Sequence, residues 1–241
     1  MHLKLDGVIV GQSSAEFTLE VLQHERRHVR VPISAVIIAG WTGRDPAAVE
    51  HHIAELEALG VKRPSAVPMF YPVACARLTS ANSIQALGEE SSGEVEFVLL
   101  QHQQRLWVSV GSDHTDRRVE AYDVNVSKQM CDKPVAQTWW ALDDVRAHWD
   151  HLVLRSYIGA GAARTLYQEG PVSSMLEPSE LIARYHEAGG TLTEGTMMFC
   201  GTLAARGGVR PSPKFLFEID DQKLGRKIEH EYSITCLSSS K

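Results

Sequence analysis

Apolar and polar residues alternate with a period of two in several separate stretches of the chain. Neighbouring side chains on a strand point to opposite faces, so this pattern predicts half-buried strands. "HLKLDGVIVG" and "EFTLEVLQ" alternate in this way, and "HVRVPISAVIIAG" continues the character. The period then changes in "GWTGRDPAAVEHHIAELEALG". Asp45 can cap a helix there, Pro46 suits its first turn, Val49, Ile53 and Leu56 recur at helical spacing, and Gly60 supplies the stop. Prolines and polar clusters break up residues 61–87, which predicts loop with short strands. "ALDDVRAHWDHLVLRSYI" predicts a helix with Val145, Trp149, Leu152 and Ser156 on one side, and "PSELIARYHEAG" a shorter one punctuated by Pro178 and Gly189. "GTMMFCGTL", "KFLFEID" and "KIEHEYSITC" return to alternation. No repeat, low-complexity tract or linker interrupts the chain, so a single strand-rich α+β domain over residues 1–241 is expected, with a few flanking helices.

Between these segments, "GEVEFVLLQ" and "RLWVSVGSD" flank the polar "HQQ" and read as a β-hairpin. Pairing Leu100 with Arg105 puts Val95, Phe97 and Leu99 on one face with Leu106, Val108 and Val110. The other face then carries Glu94, Glu96, Ser109 and Gly111, and Asp113 extends from it with the same parity. Like charges side by side on a strand are destabilising without a positive partner. Three carboxylates beside Gly and Ser suit a hard divalent cation, Mg2+ or Mn2+, which takes oxygen ligands and keeps waters that a substrate can displace. A solvated acidic strand face is the alternative reading.

Composition narrows the class. The 241 residues are 44% hydrophobic and 22% charged, ordinary for a globular chain with a sizeable core. A net charge of -6 argues against nucleic-acid binding, which calls for a basic face. The chain has no apolar run of spanning length and begins without a secretory pattern, so a cytoplasmic protein with no membrane partner is expected. Cys75, Cys131, Cys200 and Cys236 are scattered and read as reduced thiols. Trp139, Trp140 and Trp149 read as packing residues, and "HERRH" at 24–28 as a solvated turn or edge.

Several segments together resemble the fumarylacetoacetate hydrolase superfamily. Its E-x-E motif is matched by Glu94 and Glu96, and its N-D-x-S-x-R-D motif by "SDHTDR", with Ser112 for Asn, Asp113 for Asp, Thr115 for Ser and Arg117 for Arg. "SKQMCDKPVA" is similar to K-S-F-D-x-F-x-P-x-G and puts the lysine at Lys128. "YQEG", "LTEGTMMFCGTL" and "FEIDDQKLGRKIEHEY" follow the order of the family's tail, with Gly201 and Thr202 at its Gly-Thr turn. The likeness is strongest over residues 65–235, after N-terminal strands and a helix in residues 1–64, and departs from the family at the missing Asn and Phe.

The resemblance implies a mixed β-roll or barrel and a metal held by Glu94, Glu96 and Asp113. It also implies a homodimer. The activity implied is hydrolysis of a C–C bond in a small keto acid or 1,3-dicarbonyl through a metal-stabilised enolate. Hydration, isomerisation or decarboxylation at the same site is the alternative, and a non-catalytic small-acid binding or assembly protein a further one. Lys128, Arg117, Gly201 and Thr202 would hold substrate oxygens. The family's H-x-x-E is matched by His52 and Glu55, neighbours at i,i+3 on the predicted helix and able to activate water. The approach from Gly40 is longer here and lacks Asn-Tyr. His51 with Glu55 at i,i+4 is geometrically as good, and two ordinary surface histidines would explain the same residues. His114 is a further acid/base candidate, turned from the acidic face by strand alternation.

Overall fold

A computed structural model describes residues 13–24, 26–58 and 63–238. The strand expected in "HLKLDGVIVG", residues 2–11, lies outside the described residues. The chain opens with β1 (Ser14–Glu20), β2 (Arg27–Pro32) and β3 (Ala35–Gly40), followed by α1 (Pro46–Ala58). The expected cap is in place: Asp45 Oδ1 accepts from the Ala47 N–H at 2.9 Å, and Ile53 is the buried anchor of the helix. Next come β4 (Met69–Val73), β5 (Leu78–Thr79) and β6 (Ser83–Leu87), the short strands expected from the broken pattern, and then β7 (Ser91–Ser92).

The hairpin is β8 (Val95–His102) and β9 (Arg105–Ser112). Its register differs from expectation by two: His102 pairs with Arg105 and Leu100 with Trp107. The turn is only Gln103–Gln104, at φ 52° and 58°, values that match the right-handed twist of a two-residue hairpin. A shift of two preserves parity, so the predicted division of faces survives. The shift also brings Asp113 opposite Glu94, with the Asp113 N–H bonded to the Glu94 carbonyl at 3.0 Å.

After the hairpin follow β10 (Thr115–Asp116), α2 (Arg117–Glu120), α3 (Val124–Met130), β11 (Lys133–Pro134) and β12 (Thr138–Ala141). The long helix expected from residue 141 stops early. Only α4 (Leu142–Arg146) is α-helical, a 3-10 turn follows at Trp149–His151, and Val153–Ile158 is a strand, β13. Alternation of Leu154, Ser156 and Ile158 inward prevails there, because the segment pairs with strands on both sides. The remaining elements are β14 (Thr165–Pro171), α5 (Pro178–Glu187), β15 (Thr196–Phe199), β16 (Lys214–Asp221) and β17 (Arg226–Leu237).

Two sheets carry the fold. The larger runs β2-β1-β12-β9-β8-β15-β3-β4, and the smaller β14-β13-β16-β17-β6. Both mix parallel and antiparallel pairs, consistent with the strand-rich α+β class expected. Val95, Phe97, Leu99, Val108 and Val110 pack in one core with Phe215, Phe217, Ile219 and Tyr232 of the smaller sheet. On the opposite face of the hairpin, Val98, Leu100 and Trp107 join Trp139, Met197 and Phe199 in a second core. Val98, Leu100 and Trp107 thus make the middle of the acidic face largely apolar, with Ser109 bonded to the Thr138 carbonyl, and its carboxylates cluster at the end that carries Glu94, Glu96 and Asp113. Both sheet faces are buried, which explains why β8 is almost continuously hydrophobic.

Trp139, Trp140 and Trp149 are all buried, and the Arg226 guanidinium lies 4.3 Å from the Trp140 ring centre. "HERRH" meets the edge strand β2, where His24, Arg26, Arg27 and His28 are exposed. Cys131 and Cys200 are buried free thiols, and burial pushes Cys131 up to about 11. Among the described residues no helix is long and apolar enough to cross a membrane.

Candidate metal centre

Glu94, Glu96 and Asp113 each offer a carboxylate oxygen, and these atoms lie within 4.8 Å of one another. The hairpin creates this meeting. Glu94 and Asp113 extend its two strands from opposite sides, and Glu96 is one pleat further in, facing Gly111. A Cβ at Gly111 would come within 2.7 Å of Phe199 and 2.9 Å of Val98, so glycine lets the strands close over this end.

Each carboxylate has a distinct environment. Glu96 is buried, and its Oε2 accepts from the Gly201 N–H at 2.8 Å. Burial, with Asp113 and Glu94 beside it, pushes Glu96 well above the usual carboxylate range. Asp113 is fully buried, yet the ammonium groups of Lys128 and Lys133 outweigh its burial and hold it below that range. Lys128 Nζ bonds Asp113 Oδ2, and Lys133 Nζ lies 3.0 Å from Oδ1. Glu94 is partly exposed, with Arg117 Nη2 at 3.1 Å and Lys128 Nζ at 3.9 Å.

The cations arrive on two capped helices. Asp116 accepts from the Val119 N–H at 2.9 Å and starts α2, which places Arg117 at its head. Arg117 also bonds Glu120 at 2.8 Å and Ser92 Oγ at 2.7 Å. Asp123 accepts from the Val126 N–H at 3.1 Å and starts α3, which delivers Lys128 inward. Burial alone would lower the Lys128 ammonium, but Asp113, Glu94 and Glu120 overcome it and hold Lys128 above its ordinary value. Glu120 completes the group, 3.6 Å from Lys128 Nζ.

Gly201 turns at φ +98°, and a Cβ there would sit 1.8 Å from Thr42 Oγ1. Thr202 lies beside it, but its hydroxyl donates to the Val95 carbonyl at 2.7 Å and accepts from Gln168 Nε2 at 2.9 Å. That hydroxyl joins the turn to the first residue of β8.

Behind the triad, His114 is buried, with Nδ1 2.9 Å from Tyr232 OH and Nε2 2.9 Å from Ser91 Oγ. Burial lowers its pKa to about 3, so the ring is neutral at physiological pH. Tyr232 OH also meets Ser112 Oγ at 2.9 Å, tying the tip of β9 to the smaller sheet. His51, His52 and Glu55 all lie on α1, with His51 exposed; the side chains of His52 and Glu55 lie outside the described residues.

Of the residues singled out by sequence, Glu94, Glu96, Asp113, Arg117 and Lys128 converge, with Gly201 hydrogen-bonded to Glu96. Lys133, Glu120 and Thr42 escaped notice. A signal for Lys133 existed: laid on K-S-F-D-x-F with its lysine at Lys128, the chain puts Lys133 at the second Phe, an apolar position.

The donor set fits a divalent cation. Three carboxylates crowd together around Glu96, whose charge burial opposes, and all donors are hard oxygens.

The same architecture occurs in solved structures. Fumarylpyruvate hydrolase from Pseudomonas aeruginosa, in complex with Mn2+ and pyruvate, is 15% identical, with a TM-score of 0.63 over 95% of this chain and 99% of that one. A yeast protein of the fumarylacetoacetate hydrolase family is 14% identical, with a TM-score of 0.60 over 87% of this chain and 97% of that one. The 5-carboxymethyl-2-hydroxymuconate delta-isomerase from Mycobacterium smegmatis is 15% identical, with a TM-score of 0.61 over 88% and 81%. No curated protein matches the chain. Residues 39–232 match the family described as "Protein of unknown function (DUF2848)". The chain therefore belongs to the DUF2848 family, and its fold is that of the fumarylacetoacetate hydrolases.

Proposed function

We propose that this chain is a divalent-metal-dependent enzyme that cleaves a C–C bond of a small keto acid or 1,3-dicarbonyl by hydrolysis. The observation that carries the reading is the convergence of Glu94, Glu96 and Asp113 within 4.8 Å, beside buried Lys128. In this reading the three carboxylates hold Mg2+ or Mn2+, which when bound polarises a chelated carbonyl. The Gly201 N–H fixes one Glu96 oxygen and leaves the other to the cation. Lys128, whose ammonium bonds Asp113 beside the triad, would hold a carboxylate or enolate oxygen of the substrate and stabilise negative charge as it develops. Arg117 keeps Glu94 aimed inward and adds positive potential. The Gly201–Thr202 turn shapes the wall beside Glu96. His52 with Glu55, or His51 on the same helix, takes the proton from the attacking water.

Keto–enol isomerisation needs the same enolate stabilisation without water. The shared fold with an isomerase supports it as the second reading.

The test combines Mn2+ titration, followed by electron paramagnetic resonance, with assays on a panel of acylpyruvates. Glu94→Gln, Glu96→Gln and Asp113→Asn should each weaken Mn2+ binding by roughly tenfold or more and abolish turnover. Unchanged Mn2+ affinity in all three variants would overturn the metal centre. Pyruvate release identifies hydrolysis, whereas proton exchange alone identifies isomerisation.

A further inference from the structure

Lys133 is a fully buried lysine at the start of a two-residue strand, paired with β5 and outside every helix that builds the site. Its ammonium touches the Asp113 carboxylate at 3.0 Å and donates to the His114 carbonyl at 2.6 Å. It has no exposed surface, so it cannot contact a substrate. It acts through Asp113, whose other oxygen is bonded by Lys128.

The charge balance gives that contact a consequence. The carboxylates of Glu94, Glu96, Asp113 and Glu120 face the cations of Arg117, Lys128 and Lys133, which leaves one net negative charge when all are ionised. A divalent cation turns this into one net positive charge. In a buried site an uncompensated positive charge is costly, whereas an anionic ligand on the same cation removes it, a monoanion leaving the cluster neutral and a dianion returning it to the charge of the empty site. Without Lys133 the same fully ionised cluster would carry two negative charges, which a divalent cation alone would neutralise.

We infer that Lys133 is a positioning and charge-setting residue that couples metal binding to the acid. It weakens the grip of the triad on a bare cation and reserves tight binding for the cation together with a small oxyacid anion. This inference rests on the metal reading above. Linkage makes the effect reciprocal, so the metal strengthens acid binding by the factor by which the acid strengthens metal binding.

The experiment measures Mn2+ affinity by paramagnetic resonance with and without oxalate, a small dianion with two chelating oxygens. In the natural protein, oxalate should tighten Mn2+ binding by roughly tenfold or more. In Lys133→Gln, which keeps a hydrogen-bond donor, and Lys133→Met, which does not, Mn2+ alone should bind roughly tenfold tighter. The enhancement by oxalate should shrink in both.

A merely structural lysine predicts the opposite sign, because loss of Asp113 positioning loosens Mn2+. Weaker or unchanged Mn2+ binding in folded Lys133→Gln overturns the inference. So does equal Mn2+ affinity with and without oxalate in the natural protein, a measurement independent of whether either variant folds. Absence of Mn2+ binding under both conditions in the natural protein instead overturns the metal centre itself.

Discussion

Gly201 concentrates two demands in one residue. Its φ of +98° lies where a Cβ is strained, and Thr42 Oγ1, bonded to the Cys200 carbonyl at 2.9 Å, occupies the space a Cβ would take. Its N–H is also the direct contact to buried Glu96. Gly201→Ala should therefore cost about 2 kcal/mol or more of stability. It should also weaken Mn2+ binding, because the Glu96 carboxylate loses its fixed donor. Thermal unfolding and Mn2+ titration of the same protein check both halves, and a variant with unaltered melting and Mn2+ affinity would remove Gly201 from this role.

At the scale of elements, the hairpin β8–β9 places the site, and its turn fixes the register. Gln103 and Gln104 both adopt left-handed backbone, which favours Asn and Gly. The Gln103 N–H bonds Glu194 Oε2 at 2.9 Å, a contact any residue except proline retains. Replacing the pair by Asn-Gly should relieve that left-handed strain by more than glycine's added unfolded-state entropy costs, a net stabilisation of about 0.5–1 kcal/mol. That raises the melting temperature by roughly 1–4 °C for a chain of this length and leaves Mn2+ binding unchanged. The sequence pattern identified the hairpin and its parity, because alternation is local. It misjudged the turn length, because the register rests on backbone conformation at two glutamines whose side chains do not advertise it. The helix expected beyond Arg146 failed for a related reason: Val145, Trp149 and Leu152 satisfy helical spacing, but pairing of Val153–Ile158 with β14 and β16 decides the structure.

For the molecule as a whole, a buried hydrogen-bonded cluster around Asp221 joins distant parts of the chain. His148 Nε2 lies 2.9 Å from Asp221 Oδ1, and Arg226, stacked on Trp140, holds Oδ2 at 3.1 Å. Burial would raise the Asp221 pKa, but the hydrogen bonds from His148, Arg226 and the Leu224 N–H prevail and lower it from 3.8. A depressed carboxylate contributes stability that is complete above its ordinary pKa and disappears as the pH falls through its folded value. The protein should therefore lose this contribution only below about pH 4. Asp221→Asn should lower the melting temperature at neutral pH and flatten the acid limb of the melting curve. An acid limb as steep as that of the natural protein would place the titration elsewhere.

The sequence alone determined which residues alternate, where α1 and α5 begin, and that Glu94, Glu96 and Asp113 share a parity, since all of these depend on local spacing along one backbone. Its likeness to a known family also marked Lys128, Arg117 and Gly201. Only the tertiary structure decided that the acidic face is closed by a second apolar core and that Asp113 stands opposite Glu94. It alone brought Lys133, from a separate strand pairing with β5, into the charge balance of the triad. The physical reason is that burial and charge compensation act through space: a lysine that reads as an ordinary polar residue in a strand segment becomes a determinant of the site only once the fold removes its water and leaves Asp113 as its counter-ion.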